Sequence, residues 1–202
     1  MNAAMTWSLG ALIFLGVTAF FFERSKMTAR QLSLIMVLGT LAGIGRIPFA
    51  ALPSLQPTTF MVIMSGFVFG PLNGFVVAVV SVLISNSFLG HGTWTLWQML
   101  AWSLCGMSFG FLGVKWPRLS LKIMALMGLA WGFLFGWITN IWHWLAFVYP
   151  LTWESWLTTN ALSLWFDVQH GLVNTALIWF LGNWCIKLLR KYRQKLNIHP
   201  KS

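Results

Sequence analysis

Seven apolar blocks, separated by short polar connections, constrain the fold of this chain more than any other feature. They cover about residues 6–22, 29–47, 58–70, 72–87, 94–113, 120–148 and 157–187. A helix needs about 20 apolar residues to cross a bilayer, so 202 residues hold at most about seven spans. Charged residues make up only 8% of the chain, against about 25% in soluble domains. We therefore expect an all-α membrane protein, with residues 1–202 forming a single transmembrane domain.

The connections between the first four blocks carry further information. Blocks three and four are short and meet at GPLNG (residues 70–74), which is a strong turn signal and predicts a tight helical hairpin. The first block has the length of a signal peptide, but it lacks a positive n-region and a small-residue cleavage site. We therefore interpret residues 6–22 as a retained extra N-terminal helix.

The basic residues predict the orientation of the chain. Twelve of the 13 lie at alternate connections or in the tail: Arg24, Lys26, Arg30, Lys115, Arg118, Lys122, Lys187, Arg190, Lys191, Arg193, Lys195 and Lys201. Positively charged loops stay cytoplasmic, so we expect the N-terminus outside and residues 191–202 as a basic cytoplasmic tail. Attraction to anionic lipid accounts for this charge, and no soluble surface is present to bind nucleic acid. Arg46, the exception, then lies near the outer face with Glu154.

Glycines recur at four-residue spacing in several blocks. They are Gly39 and Gly43; Gly66, Gly70 and Gly74; Gly106 and Gly110; and Gly128, Gly132 and Gly136. This spacing puts small residues on one helix face and lets backbones approach closely. The spacing alone does not distinguish packing inside the chain from a surface for a partner subunit. A phosphate-binding G-x-x-x-x-G-K-[ST] loop is missing, so ATP hydrolysis by that route is not expected.

A polar stripe marks the last block. Ser163, Asp167, His170 and Asn174 follow one another at steps of four, three and four, which places them on one helix face. The aspartate and histidine could share a proton, orient one another, hold a polar ligand together or brace a neighbouring helix. A metal site is not expected, because no second histidine lies one turn away.

Polar and aromatic residues also alternate near the outer ends of blocks two, four and five. Trp94, Trp97 and Trp102 are interleaved with hydrogen-bonding residues that include Asn86, His91 and Gln98. Such a mixture suits a pocket for a large, flat, amphipathic ligand, although tryptophans also settle at membrane interfaces.

Arg46 precedes Ile47-Pro48, where the proline ends or kinks the helix. Its guanidinium is available to a carboxylate or phosphate ligand, or to Asp167 or Glu154. Thr58 and Thr59 begin the next block, and their hydroxyls are candidate N-caps.

Catalytic motifs are scarce. The pattern G-x-S-x-G occurs once, as GMSFG (106–110), but it lies inside an apolar block and not at the strand-to-helix turn that a nucleophile elbow needs. The chain contains no H-E-x-x-H and only three acidic residues. We therefore do not expect an enzyme, with an intramembrane transferase that uses Asp167 and His170 as the alternative.

Several motifs together resemble a known family. They are RIPFA (46–50), LPSLQP (52–57), GFVFG (66–70), SN (85–86), GHGTWT (90–95), WQM (97–99), and FD (166–167) followed by His170 and Asn174. This combination is similar to the substrate-binding S components of energy-coupling-factor vitamin importers, most of all to the cobalamin-specific branch. The resemblance covers about residues 29–190.

The resemblance implies a six-helix core over residues 29–190 in a prokaryotic cell membrane. It implies a subunit that binds one vitamin near the outer face and docks on a membrane scaffold subunit driven by two cytoplasmic ATPases, with Gly39 and Gly43 in the helix that meets the scaffold. We expect cobalamin as the ligand, because a corrinoid needs flat aromatic surface and neutral hydrogen-bonding groups. No cofactor is expected. The candidate binding residues are Arg46, Gln56, Asn86, His91, Trp94, Trp97, Gln98, Asn140, Asp167, His170 and Asn174. The alternative is a small anionic vitamin such as pantothenate, held by Arg46.

Overall fold

The computed structural model describes residues 3–25, 27–52 and 54–198, and within these ranges the regular structure is helical. The helices are α1 (Ala3–Glu23), α2 (Ala29–Arg46), a 3-10 turn (Ile47–Phe49), α3 (Thr58–Phe69), α4 (Pro71–Leu89), α5 (Trp94–Lys115), α6 (Leu121–Phe147) and α7 (Trp153–Lys195). Each predicted apolar block forms one α-helix, so the all-helical prediction is confirmed. Lys26, Pro53 and Lys201, which entered the sequence predictions, lie outside the described residues.

Four segments are long and apolar enough to cross a membrane by length and composition. They are Ala29–Phe49, Pro71–Leu89, Leu121–Phe147 and Trp153–Lys195. The last helix has 43 residues, so it continues through five residues that were assigned to the basic tail. At about 1.5 Å per residue it is roughly 65 Å long, about twice the thickness of a hydrocarbon core.

Helices α3, α4 and α5 form a three-helix core. The predicted hairpin turn is confirmed: α3 ends at Phe69, its C-cap Gly70 has a φ of 98° that favours glycine, and α4 begins at Pro71. A Cβ on Gly106 would lie 2.6 Å from the backbone oxygen of Gly74, so the α4 and α5 backbones are in direct contact. Phe69, Val77 and Phe109 are fully buried beside these glycines.

Helix α2 packs on α4 through the glycines that were expected to face a partner subunit. Gly39 and Gly43 are buried within the chain. A Cβ on Gly39 would lie 2.7 Å from Val80 Cβ, and one on Gly43 would lie 2.7 Å from the backbone oxygen of Ser81. In the chain by itself, α4 thus occupies the space beside these two positions, and a partner subunit at this face stays a prediction.

Helices α6 and α7 pack side by side, again through glycines. Gly132 of α6 lies against the backbone of Gly171 on α7, and Gly128 lies against Ile178. Helix α7 also contacts α3, whereas α1 packs along α5, α4 and α6. Most described side chains of α1 are exposed or half-buried, so the extra N-terminal helix is peripheral.

The two ends of the helix bundle differ in charge. Arg190 donates to the backbone oxygen of Pro117 between α5 and α6. Arg193 donates to the backbone oxygen of Val68 at 2.9 Å, which satisfies a carbonyl at the C-terminal end of α3. We call this the basic end. The opposite end, where α2 finishes at Arg46, contains the cavity described next.

Candidate functional site

A cavity of about 240 Å³ lies between the ends of α2, α5, α6 and α7. Its walls combine aromatic rings with charged and neutral polar groups. The lining residues are Arg46, Ser54, Gln56, Trp102, Phe135, Gly136, Thr139, Asn140, Ser163, Phe166, Asp167 and His170. Polar groups at this depth in an apolar bundle are costly and mark ligand or ion sites.

Local sequence features explain why Arg46 and the polar stripe of α7 lie on opposite sides of the cavity. Pro48 lies in the 3-10 turn that follows α2, so the α-helix stops at Arg46 and leaves this residue at the mouth. On the opposite side, the predicted stripe from Ser163 to His170 faces inward from α7, as the steps of four and three require. Asp167 and His170 are both buried.

Arg46 is held by neutral groups. Its Nε donates to Gln56 Oε1 at 2.9 Å, and its Nη1 donates to Asn86 Oδ1 at 2.9 Å and to Ser85 Oγ at 3.1 Å. The guanidinium carbon also lies 5.3 Å from the centre of the Trp102 ring, which is within cation–π range. These contacts orient the guanidinium without neutralising its charge.

Asn86 connects Arg46 to the start of α5. Its amide nitrogen donates to Gln98 Oε1 at 2.9 Å and to Thr95 Oγ1 at 3.1 Å. The amide oxygen therefore accepts from Arg46. Because the oxygen faces a donor and the nitrogen faces two acceptors, the orientation of the Asn86 amide is determined. Asn86 and Gln98 thus support Arg46 from behind the cavity wall.

Asp167 is supported by α6 and by its own helix. Ser163 Oγ donates to Asp167 Oδ2 at 3.2 Å, and Asn140 Nδ2 donates to Ser163 Oγ at 2.7 Å. A Cβ on Gly136 would overlap the Asp167 carboxylate. The glycine therefore leaves the space that this carboxylate occupies, which explains why the third glycine of the α6 series is needed.

His170 belongs to a buried group of three side chains. Its Nε2 lies 2.7 Å from Thr59 Oγ1, and Trp102 Nε1 donates to the same oxygen at 2.8 Å. Thr58 instead donates to the backbone oxygen of Ala42 at 3.1 Å. The prediction that these threonines act as N-caps is wrong, because both hydroxyls bond to neighbouring helices and α3 has no side-chain cap.

Arg46 and Asp167 line the same cavity without forming an ion pair. In the described part of the chain, the polar partners of Arg46 are the neutral groups above and the polar partner of Asp167 is Ser163. Pairing of Arg46 with Glu154 is not seen either, and Glu154 is exposed at the start of α7. Two opposite charges facing one small cavity suit a ligand that has an acidic group and a hydrogen-bond donor.

The structure brings together five of the eleven predicted binding residues at the cavity wall: Arg46, Gln56, Asn140, Asp167 and His170. Asn86 and Gln98 act one layer behind. The other four lie elsewhere: His91 is exposed on the α4–α5 loop, Trp94 packs on Trp142, Trp97 is buried in α5, and Asn174 donates to the backbone oxygen of Gly128. The described residues include no convergent group of three potential metal ligands.

Sequence reasoning missed Thr59 and Phe135 as parts of the site. The hydroxyl of Thr59 joins Trp102 to His170, and the Phe135 ring lies edge-on to His170 with ring centres 5.0 Å apart. Thr59 lies two positions after Pro57, and this local context suggested a cap. Its long-range partners, 43 and 111 positions away in sequence, leave no local signal.

A second, more open groove adjoins the cavity. It has a volume of about 520 Å³ and shares Asn140, Ser163 and Phe166 with the cavity wall. Its remaining lining comes from α6, from Val148 just after that helix, and from the first turns of α7. Phe166, whose side chain is 46% exposed, therefore stands between the two spaces.

Comparisons with known proteins give distant relatives. The chain is 26% identical over 98 residues to a UPF0397 protein of Aliivibrio salmonicida, covering 46% of this chain and 53% of the relative. It is 28% identical over 90 residues to a UPF0397 protein of Vibrio atlanticus, covering 42% and 49%. The chain thus spans about half the length of the curated relatives it matches. Neither a family model nor a solved structure matches the chain.

Proposed function

We propose that this chain is the membrane-embedded, solute-binding subunit of a vitamin importer in a prokaryotic cell membrane. The observation that supports this most is a small cavity at one end of an apolar helix bundle, whose wall contains an arginine and an aspartate that form no ion pair among the described residues. The resemblance to S components adds a six-helix core, α2 to α7, and an ATP-driven partner complex of one scaffold subunit and two ATPases. The chain binds its solute and does not convert it.

The size of the cavity favours the smaller of the two expected ligands. Sites for drug-sized molecules occupy about 300–1,000 Å³, and the cavity holds about 240 Å³. A small anionic vitamin such as pantothenate matches both the volume and the charges. Its carboxylate would meet Arg46, and its hydroxyl or amide hydrogens would meet Asp167.

Cobalamin is the second candidate. The observation in its favour is the adjoining groove of about 520 Å³, which would join the cavity if the Phe166 side chain turned away. A corrinoid would then rest in the groove and place only one side arm in the cavity.

Calorimetric titration of the purified chain with pantothenate, biotin, riboflavin and cobalamin tests the proposal. We expect one small anionic vitamin to bind with 1:1 stoichiometry. Arg46→Ala should weaken this binding about 100-fold, because a charged hydrogen bond contributes about 1.5–3 kcal/mol. Arg24→Ala is the matched control, since Arg24 is exposed at the basic end. Binding of cobalamin and of none of the other vitamins would reject the small anionic ligand in favour of cobalamin. Recovery of a chemically altered vitamin would favour the transferase alternative.

Asp167→Asn tests the other pole of the cavity. The amide has the size of the carboxylate but lacks its charge, so we expect about tenfold weaker pantothenate binding with an unchanged melting temperature. The control is Glu154→Gln at an exposed acidic residue. Equal affinities of the Asp167→Asn variant and the unmodified chain would remove Asp167 from the site.

A further inference from the structure

Trp102, Thr59 and His170 form a buried hydrogen-bonded group. The positions of the hydrogens on their nitrogen and oxygen atoms can be deduced from the contacts. The three side chains are 2%, 1% and 7% exposed. The Thr59 oxygen lies 2.8 Å from Trp102 Nε1 and 2.7 Å from His170 Nε2. Thr59 is almost completely buried and does not line the cavity, so its hydroxyl must find its hydrogen-bond partners inside the protein.

The tryptophan fixes the first proton. An indole nitrogen can only donate, so Trp102 donates to the Thr59 oxygen. The threonine hydroxyl has one hydrogen of its own. Within the described residues, the acceptor in reach of that hydrogen is His170 Nε2. The consistent arrangement runs from Trp102 through Thr59 to an unprotonated Nε2.

The opposite arrangement fails by the same count. If Nε2 carried the hydrogen, Thr59 would accept two hydrogen bonds and its own buried hydroxyl hydrogen would lack an acceptor. Leaving such a donor unsatisfied costs about 1–3 kcal/mol. A doubly protonated imidazolium meets the same conflict, because its Nε2 is also a donor.

We infer that Trp102 and Thr59 hold His170 as the neutral tautomer with the hydrogen on Nδ1, so that the cavity offers its ligand a neutral hydrogen-bond donor. This rests on the proposed function and deepens it. His170 lines the cavity, and Thr59 engages its Nε2, so Nδ1 is the ring nitrogen left for a ligand. The ligand must then bring a hydrogen-bond acceptor, such as a carbonyl, hydroxyl or carboxylate oxygen, to this wall.

The three polar walls then have different requirements. Arg46 supplies a charged donor, Asp167 a charged acceptor and His170 a neutral donor. A ligand with an acidic group, a donor and an uncharged acceptor oxygen satisfies all three, and a hydroxy-amide carboxylate such as pantothenate has this set. An acid with only an alkyl chain would leave His170 without its partner.

Nitrogen-15 NMR of the histidine ring tests the inference without any ligand. The chain has four histidines, so replacing the other three by glutamine leaves the signals of His170 alone. We expect the shifts of a protonated Nδ1 and an unprotonated, hydrogen-bonded Nε2 at neutral pH. A protonated Nε2, or a doubly protonated ring, would overturn the inference. Because the tautomer is read in the free protein, the result is independent of whether pantothenate binds.

Two threonine variants extend the test to recognition. Thr59→Val removes the hydroxyl at nearly constant volume, so we expect loss of the hydrogen-bonded Nε2 signal and about tenfold weaker pantothenate binding. Thr59→Ser keeps the hydroxyl and should retain both properties. Thr18→Val is the matched control, because that hydroxyl donates to the backbone oxygen of Phe14 within α1 and lies in the wall of neither the cavity nor the groove.

The outcomes separate the possible failures. An unchanged His170 spectrum in Thr59→Val would show that Thr59 does not set the tautomer, and would overturn the inference. If the valine variant does not fold, the spectra of the unmodified chain and of Thr59→Ser still decide it. A correct tautomer in a chain that binds none of the vitamins would leave this inference standing and reject the proposed function.

Discussion

The three-helix core and the α6–α7 pair both use glycines at four-residue spacing, but for different purposes. In the core, Gly74 and Gly106 bring two backbones together and leave no space between them. In the α6–α7 pair, Gly132 does the same and Gly128 packs on the Ile178 side chain, whereas Gly136 makes room for the Asp167 carboxylate. A small-residue series therefore produces a dense core where it meets backbone, and one wall of a polar cavity where it meets a charged side chain.

The largest effect should come from filling the space in the three-helix core. Gly106→Leu would place a side chain where the α4 backbone lies. Overpacking typically costs about 1–3 kcal/mol, and we expect this variant at or above the upper value because backbone atoms yield less than side chains. We expect little folded protein in size-exclusion chromatography and a much lower melting temperature. Gly16→Leu on α1 is the control, because no atom lies within 4 Å of a Cβ at that position. Equal stability of the two variants would contradict the packing described for the core.

A smaller loss is expected at the contact between α2 and α4. Gly43→Leu meets the Ser81 backbone oxygen and the Ile84 side chain, which should cost about 2–3 kcal/mol. Arg46 lies one turn further along α2, so pantothenate binding should fall together with stability. The informative comparison is vitamin uptake by cells against binding by the purified variant. Loss of uptake with intact binding would support the idea that this glycine faces a partner subunit.

Gly136→Ala should affect the cavity more than the fold. The added methyl group would push against the Asp167 carboxylate, and we expect about 30-fold weaker pantothenate binding, equivalent to about 2 kcal/mol. Global stability should change less, because the displaced side chain borders a cavity. Calorimetry and thermal unfolding of the same sample measure both effects. A large loss of stability with unchanged affinity would make Gly136 an ordinary packing residue.

The smallest effect is expected at the basic end. Arg193→Gln removes the hydrogen bond to the last turn of α3, worth about 1 kcal/mol. This corresponds to a decrease of about 2–4 °C in melting temperature for a chain of this size. Lys191→Gln, which changes an exposed neighbour, is the control. Equal decreases in the two variants would indicate that only net charge matters at this end.

The helices could be predicted from the sequence because their signals are local. The α3–α4 turn at Gly70-Pro71 and the end of α2 before Pro48 are both set by residues within a few positions. The stripe on α7 was predictable for the same reason, since helical periodicity puts Asp167 and His170 on one face.

The partners of these residues were not predictable, because they come from other helices. An ion pair with Asp167 or Glu154 was one of the two options for Arg46, and its partners within the described residues are neutral groups instead: Gln56, Asn86 and Ser85. The glycines of α2 could have faced a partner subunit or α4 equally well, since the same spacing serves both. Which wall a side chain meets depends on how the helices are arranged, and hydrophobic periodicity does not encode that arrangement.

Helix α7 has a mechanical consequence. It contains no proline from Trp153 to Lys195, so one continuous rod joins His170 at the cavity to Arg193 at the basic end. The distance between them along the helix is about 35 Å at 1.5 Å per residue. If the helix tilts by about 5° around the cavity, its basic end therefore moves by about 3 Å, because the displacement grows with the length of helix between the two points. A ligand that draws Asp167 toward Arg46 would thus shift the contact of Arg193 with α3 on the far side of the molecule.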